Sequence, residues 1–226
     1  MPSSRPNHIP IVLSVVRQLQ PASILDIGVG FGKWGHLFRE YTDIAQSEND
    51  PARYQRANWR VRIDGIEGHA AYLTPAHAYL YNTIFVGDMR TQILRAGDYD
   101  LIFLGDCLEH LDHADGEALL RACRVRARKA VLVTTPARPV QQSAVCGNPL
   151  EQHRSFWRPR DFRRIGRCAI RVDDNDTLIA VFPTGDRPAP RLEPERRRTP
   201  AVARWLQRLR ALAGSVGRPS PGGAAE

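Results

Sequence analysis

Lysine is almost missing from this chain. Of its 32 basic residues, only Lys33 and Lys129 are not arginine, a bias we read as genome base composition rather than function. Long apolar runs are missing too. None approaches the roughly 20 residues that a bilayer-spanning helix needs, so no transmembrane segment is expected. The run Ile9–Val16 is short, has no basic region before it and no small-residue cleavage site after it, and does not read as a signal peptide. The four cysteines, Cys107, Cys123, Cys146 and Cys168, form no Cys-x-x-Cys pair. That excludes a thiolate zinc site of the usual spacing and leaves free thiols in a reducing, cytoplasmic setting as the expectation.

The net charge of +8 is unevenly placed. Nine arginines and three glutamates from Arg187 onward hold +6 of it, leaving +2 for residues 1–186. We therefore expect a nearly neutral domain over 1–186 and a basic, mostly disordered tail over 187–226, with one amphipathic helix over 202–212. A basic tail is a feature that an anionic surface such as RNA or lipid headgroups would meet, although no RNA-binding module is recognisable.

Within 1–186, apolar periodicity alternates between helix and strand. Helix is predicted over 8–20, 33–41, 70–81 (broken near Pro75), 115–127 and 160–165. Strand is predicted over 23–27, 61–66, 83–86, 99–104 and 130–134. Two last strands, 169–172 and 178–182, flank a polar turn and read as a hairpin. The pattern is α/β: a doubly wound, Rossmann-like, seven-stranded sheet, mostly parallel and ending in an antiparallel hairpin. Residues 42–58 are polar, carry Asn49-Asp50-Pro51 and read as an outward insertion, with Tyr54 and Trp59 as a contact surface.

The first strand runs into Asp26-Ile27-Gly28-Val29-Gly30-Phe31-Gly32. Glycines between a strand and a helix let a ligand approach the backbone and the free N–H groups of the helix start. A phosphate-binding P-loop is excluded, because Ile27 stands where its first glycine belongs and Trp34 where its hydroxyl belongs. The dinucleotide pattern Gly-x-Gly-x-x-Gly fails at its third glycine, which is Lys33. What remains is acid-x-Gly-x-Gly-x-Gly, whose acid suits a ligand with a cationic end and repels a pyrophosphate.

On these residues the chain resembles the class I S-adenosylmethionine-dependent methyltransferases over about residues 8–185. The resemblance implies that Asp26, Gly28, Gly30 and Gly32 surround the cofactor's amino-acid end and that Glu67 holds its ribose hydroxyls. It places Asp88 and Met89 at the adenine and sets Asp106 between cofactor and acceptor. Asp26 and Glu67 are 41 positions apart, against roughly 20 in such folds; the 42–58 insertion accounts for the excess.

The acceptor side is read from residues after the fourth and fifth strands. His110 and His153 are candidate bases, with Asp106, Glu109 and Glu151 near, and residues 137–158 form a long acceptor-side loop ending at Phe156-Trp157. Asp106-x-x-Glu109-His110 with His153 resembles the divalent-metal site of methyltransferases that act on small-RNA 3′ ends and, in part, of those of ubiquinone synthesis. That resemblance implies Mg²⁺ or Mn²⁺ held by Asp106, Glu109, His110 and His153. The function expected is methylation of a hydroxyl on a small molecule or glycan. The alternatives are a metal-assisted RNA 2′-O-methyltransferase and a catalytically silent cofactor-binding module.

Overall fold

The computed structural model describes residues 6–45, 50–145, 147–173 and 176–194. Seven strands form one sheet: β1 (Ser23–Ile27), β2 (Arg62–Glu67), β3 (Thr83–Val86), β4 (Tyr99–Gly105), β5 (Ala127–Pro136), β6 (Ala169–Val172) and β7 (Thr177–Pro183). Their order is β3-β2-β1-β4-β5-β7-β6. The first five strands pair in parallel; β7 pairs antiparallel with both β5 and β6. The helices are α1 (Ile9–Leu19), α2 (Lys33–Arg39), α3 (Pro75–Leu80), α4 (Met89–Ala96), α5 (His113–Arg126) and α6 (Pro159–Ile165). The expected doubly wound sheet with a terminal hairpin is what forms.

Both faces of the sheet are covered, so the central strands are apolar on both sides. Period two sorts them. Leu101 and Phe103 of β4 pack with Val12, Val16, Trp34 and Phe38 of α1 and α2. Ile102 and Leu104 turn the other way and pack with Leu119, Leu120, Trp157 and Phe162. Helix α4 was not expected from the sequence: only Ile93 and Ala96 of it are buried, too few for a readable stripe. Helix 70–81 breaks as expected, into a 3-10 turn at Ala70–Tyr72 and then α3, which starts at Pro75. Among the described residues no helix is long and apolar enough to cross a membrane.

The insertion is tied down from inside. A π-helical turn, Glu40–Ile44, follows α2 and places Asp43 against Arg39 (2.9 Å). The buried Arg39 also donates to the Leu80 carbonyl (2.8 Å), to the Asn82 side chain (2.7 Å) and to the Val61 carbonyl. Trp59, expected to face outward with Tyr54, lies under the Arg39 guanidinium (4.7 Å) and against Tyr79. Of the two, Trp59 is half-buried and Tyr54 exposed.

The boundary expected at residue 186 falls later, because the compact unit runs to Pro194. Leu192 is buried in the α1 side of the core. Gln18 clasps the Arg191 peptide, donating to its carbonyl (3.0 Å) and accepting from its N–H (2.8 Å). The arginine-rich composition of 187–194 concealed one leucine that finds the core. The helix expected over 202–212 lies outside the described residues.

One buried contact fixes the end of β1. The Tyr81 hydroxyl donates to Asp26 Oδ2 (2.6 Å) and accepts from the Gly35 N–H (3.0 Å). A Cβ on Gly35 would meet the Tyr81 ring at 2.3–2.5 Å, so α2 and the residue after α3 approach this closely only through a glycine. Burial raises the Asp26 carboxyl to about 7, against the pull of the Tyr81 hydrogen bond.

Two outcomes follow. A chain ending at Gly185 should be less stable than one ending at Pro194 by about 1.5–3 kcal/mol, the worth of burying one leucine, read from urea unfolding. A carboxyl raised on folding costs stability that grows with pH from the unfolded value of about 3.9 to the folded value of about 7 and is constant beyond. The unfolding free energy of Asp26→Asn relative to the parent should therefore rise over that interval and level off above it. A difference independent of pH would mean that Asp26 is not desolvated.

Candidate active site

The parallel strands point their carboxyl ends to one edge, where ligands bind in such sheets. At that edge lies a cavity of about 560 Å³, within the range of small-ligand sites. Its lining includes Gly28, Gly30, Lys33, Glu67, Asp106, Glu109, His110, Glu151 and His153.

Gly28, Gly30 and Gly32 all have positive φ (80°, 55° and 84°), which a side chain would strain. A Cβ on Gly28 would also press on Cys107 at 3.0 Å. Glu67, at the end of β2, reaches across to this loop. Its Oε2 accepts from the Gly30 N–H (2.8 Å) and its Oε1 from the His69 N–H (2.7 Å). Burial raises its carboxyl above the usual range, with the two amides opposing.

On the far side, β4 is followed by Asp106, whose φ of 49° is unusual for a residue with a side chain. Its N–H is anchored on the Thr134 carbonyl (3.0 Å). Its carboxylate stands 3.8 Å from Nε2 of the buried His8. A 3-10 turn follows, Leu108–His110. Glu109 is buried and accepts from the Thr135 hydroxyl (3.1 Å). Burial, then the Asp106 charge, hold its carboxyl well above the ordinary range.

The 137–158 loop closes over this edge and is tied to it. The N–H groups of Arg154 and Ser155 donate to the Glu109 carbonyl (2.8 and 3.1 Å). Trp157 is fully buried, stacked on His113 and opposite Gly116. His153 is thereby brought beside His110, with ring centroids 5.0 Å apart. Each ring turns Nδ1 to a carbonyl, His110 to Gln152 (3.3 Å) and His153 to Val140 (2.7 Å). A carbonyl can only accept, so Nδ1 carries a proton in each ring. Burial lowers His110 to about 4, so it is neutral at pH 7.

Ligand atoms of Glu109, His110 and His153 lie within 4.8 Å of one another. Asp106, the fourth expected metal ligand, is not in this group: its left-handed backbone and short side chain send the carboxylate toward His8 instead. Of the expected cofactor residues, Gly28, Gly30, Glu67 and Asp106 line the cavity, and Asp26, Gly32, Asp88 and Met89 do not. Asp26 is sealed behind the loop with Tyr81. Gly32 makes room for His77, 3.2 Å from where its Cβ would be. Asp88 caps α4 through the Arg90 N–H (2.9 Å) and pairs with the Arg90 guanidinium. Met89 packs on the core. Leu150, from the acceptor-side loop, lies over Gly68 at the end of β2.

Sequence reasoning missed Tyr72, whose hydroxyl donates to Glu151 (3.1 Å), and His77 and Tyr81, which brace the glycine loop from α3 and the residue after it. No spacing rule would have found them, since their partners are 46 to 79 positions away.

No protein-family profile matches the chain, and no curated protein does. Solved structures do. An O-methyltransferase family protein from Burkholderia thailandensis is 12% identical, with a TM-score of 0.52, over 77% of this chain and 55% of that one. The methyltransferase domain of bacterial CtHen1-C is 16% identical, with a TM-score of 0.52, over 79% and 98%. DhpI, in a complex with SAM and HEP, is 15% identical, with a TM-score of 0.53, over 78% and 86%. This chain spans just over half the length of the Burkholderia protein and of one from Nostoc punctiforme PCC 73102 (55% and 56%). At this identity the likeness concerns the fold, and the fold is that of the class I S-adenosylmethionine-dependent methyltransferases.

Proposed function

We propose that this protein transfers a methyl group from S-adenosylmethionine to a hydroxyl oxygen of a small-molecule or glycan acceptor. The observation that carries this reading is one continuous cavity. A positive-φ glycine loop and Glu67 form one part of it, and Asp106, Glu109, His110 and His153 the other. The residues fit the cofactor: Glu67 keeps lone pairs beyond the two amides it already accepts, as ribose hydroxyls require. Asp26 Oδ1 is buried with no hydrogen-bond partner directly behind the loop. When bound, the cofactor supplies an electrophilic methyl group.

The work left to the chain is positioning, and removal of the acceptor's proton as its oxygen attacks. Asp106 lines the cavity, and we assign it the proton. His110, neutral and held near 4, is a poor base at pH 7. The same neutrality makes it a good ligand. Glu109, His110 and His153, one carboxylate and two imidazoles, fit a divalent transition-metal cation such as Mn²⁺ better than Mg²⁺, with each Nδ1 on a carbonyl fixing the ring so that Nε2 is the donor. Such an ion would orient the acceptor hydroxyl and ease loss of its proton.

Calorimetric titration with S-adenosylmethionine should show binding, weakened in Glu67→Ala by about 1.5–3 kcal/mol, the scale of a charge-assisted hydrogen bond. Radiolabelled methyl transfer into cell extract fractionated into RNA, protein and small molecules identifies the acceptor class. Label confined to RNA would refute the small-molecule reading, and cofactor binding without label in any fraction would point to a silent module.

Metal is tested separately. Mn²⁺ should bind the parent protein, followed by electron paramagnetic resonance, and bind His153→Ala more weakly by at least about tenfold. Transfer activity should fall with EDTA and return with Mn²⁺. Activity indifferent to EDTA would rule out the ion's part in the reaction.

A further inference from the structure

We infer that His77 is a positioning residue for the cofactor, one jaw of a clamp that sets the Gly30 peptide before any ligand arrives. The inference rests on the cofactor reading above. Gly30 lines the cavity and has a φ of 55°. It has no side chain with which to hold that conformation, so its two backbone polar groups must be held from outside. Its N–H is held by Glu67 Oε2 (2.8 Å) and its carbonyl by His77 Nε2 (3.0 Å).

The tautomer of His77 follows from its other nitrogen. Nδ1 accepts from the Thr74 N–H (2.9 Å) at the start of α3. A ring nitrogen that accepts from an amide has no proton, so the proton is on Nε2, which donates to the Gly30 carbonyl. The ring is buried, stacks on Tyr81 four positions on, and fills the space that a side chain at Gly32 would need. One imidazole therefore caps its own helix with Nδ1 and holds the glycine loop with Nε2. Gly32 is a glycine for this clamp, not for contact with the cavity.

Holding a loop in its binding conformation raises affinity by removing the entropy that a ligand would otherwise lose on ordering it. The two nitrogens can be tested apart. Asparagine reproduces the position of Nδ1, and glutamine reproduces the position of Nε2 with an amide N–H. His77→Asn should keep the cap and a melting temperature near that of the parent, yet weaken S-adenosylhomocysteine about tenfold, equivalent to about 1.4 kcal/mol. His77→Gln can still cap, as glutamine does at this position of a capping box, and should bind S-adenosylhomocysteine within about threefold of the parent, about 0.6 kcal/mol. Calorimetric titration and thermal unfolding on the full chain read both.

If the parent does not bind S-adenosylhomocysteine, the cofactor reading fails, whatever the variants do. If the parent binds and His77→Asn binds equally well, or His77→Gln is as impaired as His77→Asn, the clamp is overturned. A long-range ¹H–¹⁵N correlation spectrum of the parent needs no variant to fold. It should show the Nε2–H tautomer for His77, and the Nδ1–H tautomer would overturn the proposal.

Discussion

A turn built of glycines in left-handed conformations cannot hold itself, and this constraint organises the ligand edge of the domain. Gly28 and Gly30 give the backbone between β1 and α2 its close approach to the cavity, and Gly32 its room for His77. They also give it the most conformational freedom to lose. The restraint comes from the next βα unit. Glu67 at the end of β2, His77 in α3 and Tyr81 just after α3 each bond the loop or the first turn of α2. The parallel pairing of β1 with β2 brings them there, with Asp26 beside Gly65 and Ile27 beside Ile66.

The same edge concentrates carboxyl groups in low dielectric. Burial raises Asp26, Glu67 and Glu109 alike. Buried acids without cationic partners cost stability, and sites that keep them tend to be functional. The three differ in what would relieve them. Asp26 already has Tyr81, and Glu67 already has two amides. Glu109 has one hydroxyl and two imidazoles close by, its ligand atoms and theirs within 4.8 Å of one another. Asp106, three residues before it, does not join the group of Glu109, His110 and His153, its carboxylate lying near His8 instead.

The acceptor-side loop shows how a long irregular segment becomes ordered. Trp157 enters the core opposite Gly116, and the Glu109 carbonyl holds the N–H groups of Arg154 and Ser155. Two independent anchors at one end of the loop fix where His153 stands. The hairpin β6–β7 completes the wall, bringing Asp176 and Thr177 to the cavity beside Arg138.

Period-two and helical patterns, the glycine turn after β1 and the acids at strand ends were legible in the sequence by themselves, because each depends on neighbours within a few residues. They were enough for the seven-stranded architecture and for Gly28, Gly30, Glu67, Asp106, Glu109, His110 and His153 at one edge. The family resemblance also placed Asp26, Gly32, Asp88 and Met89 at the cofactor. None of them lines the cavity: Asp26 lies under Tyr81, Gly32 against His77, Asp88 on Arg90 and Met89 half-buried against the core. Helix α4 and the docking of Leu192 escaped notice because each offers too little apolar surface to show as a pattern. Histidine is where the limit is plainest. His77 and His110 are the same residue in sequence, one a clamp on a backbone carbonyl and the other a neutral ring facing the cavity. Which nitrogen carries the proton, and toward what, is set by partners that only the folded chain brings within 3.3 Å.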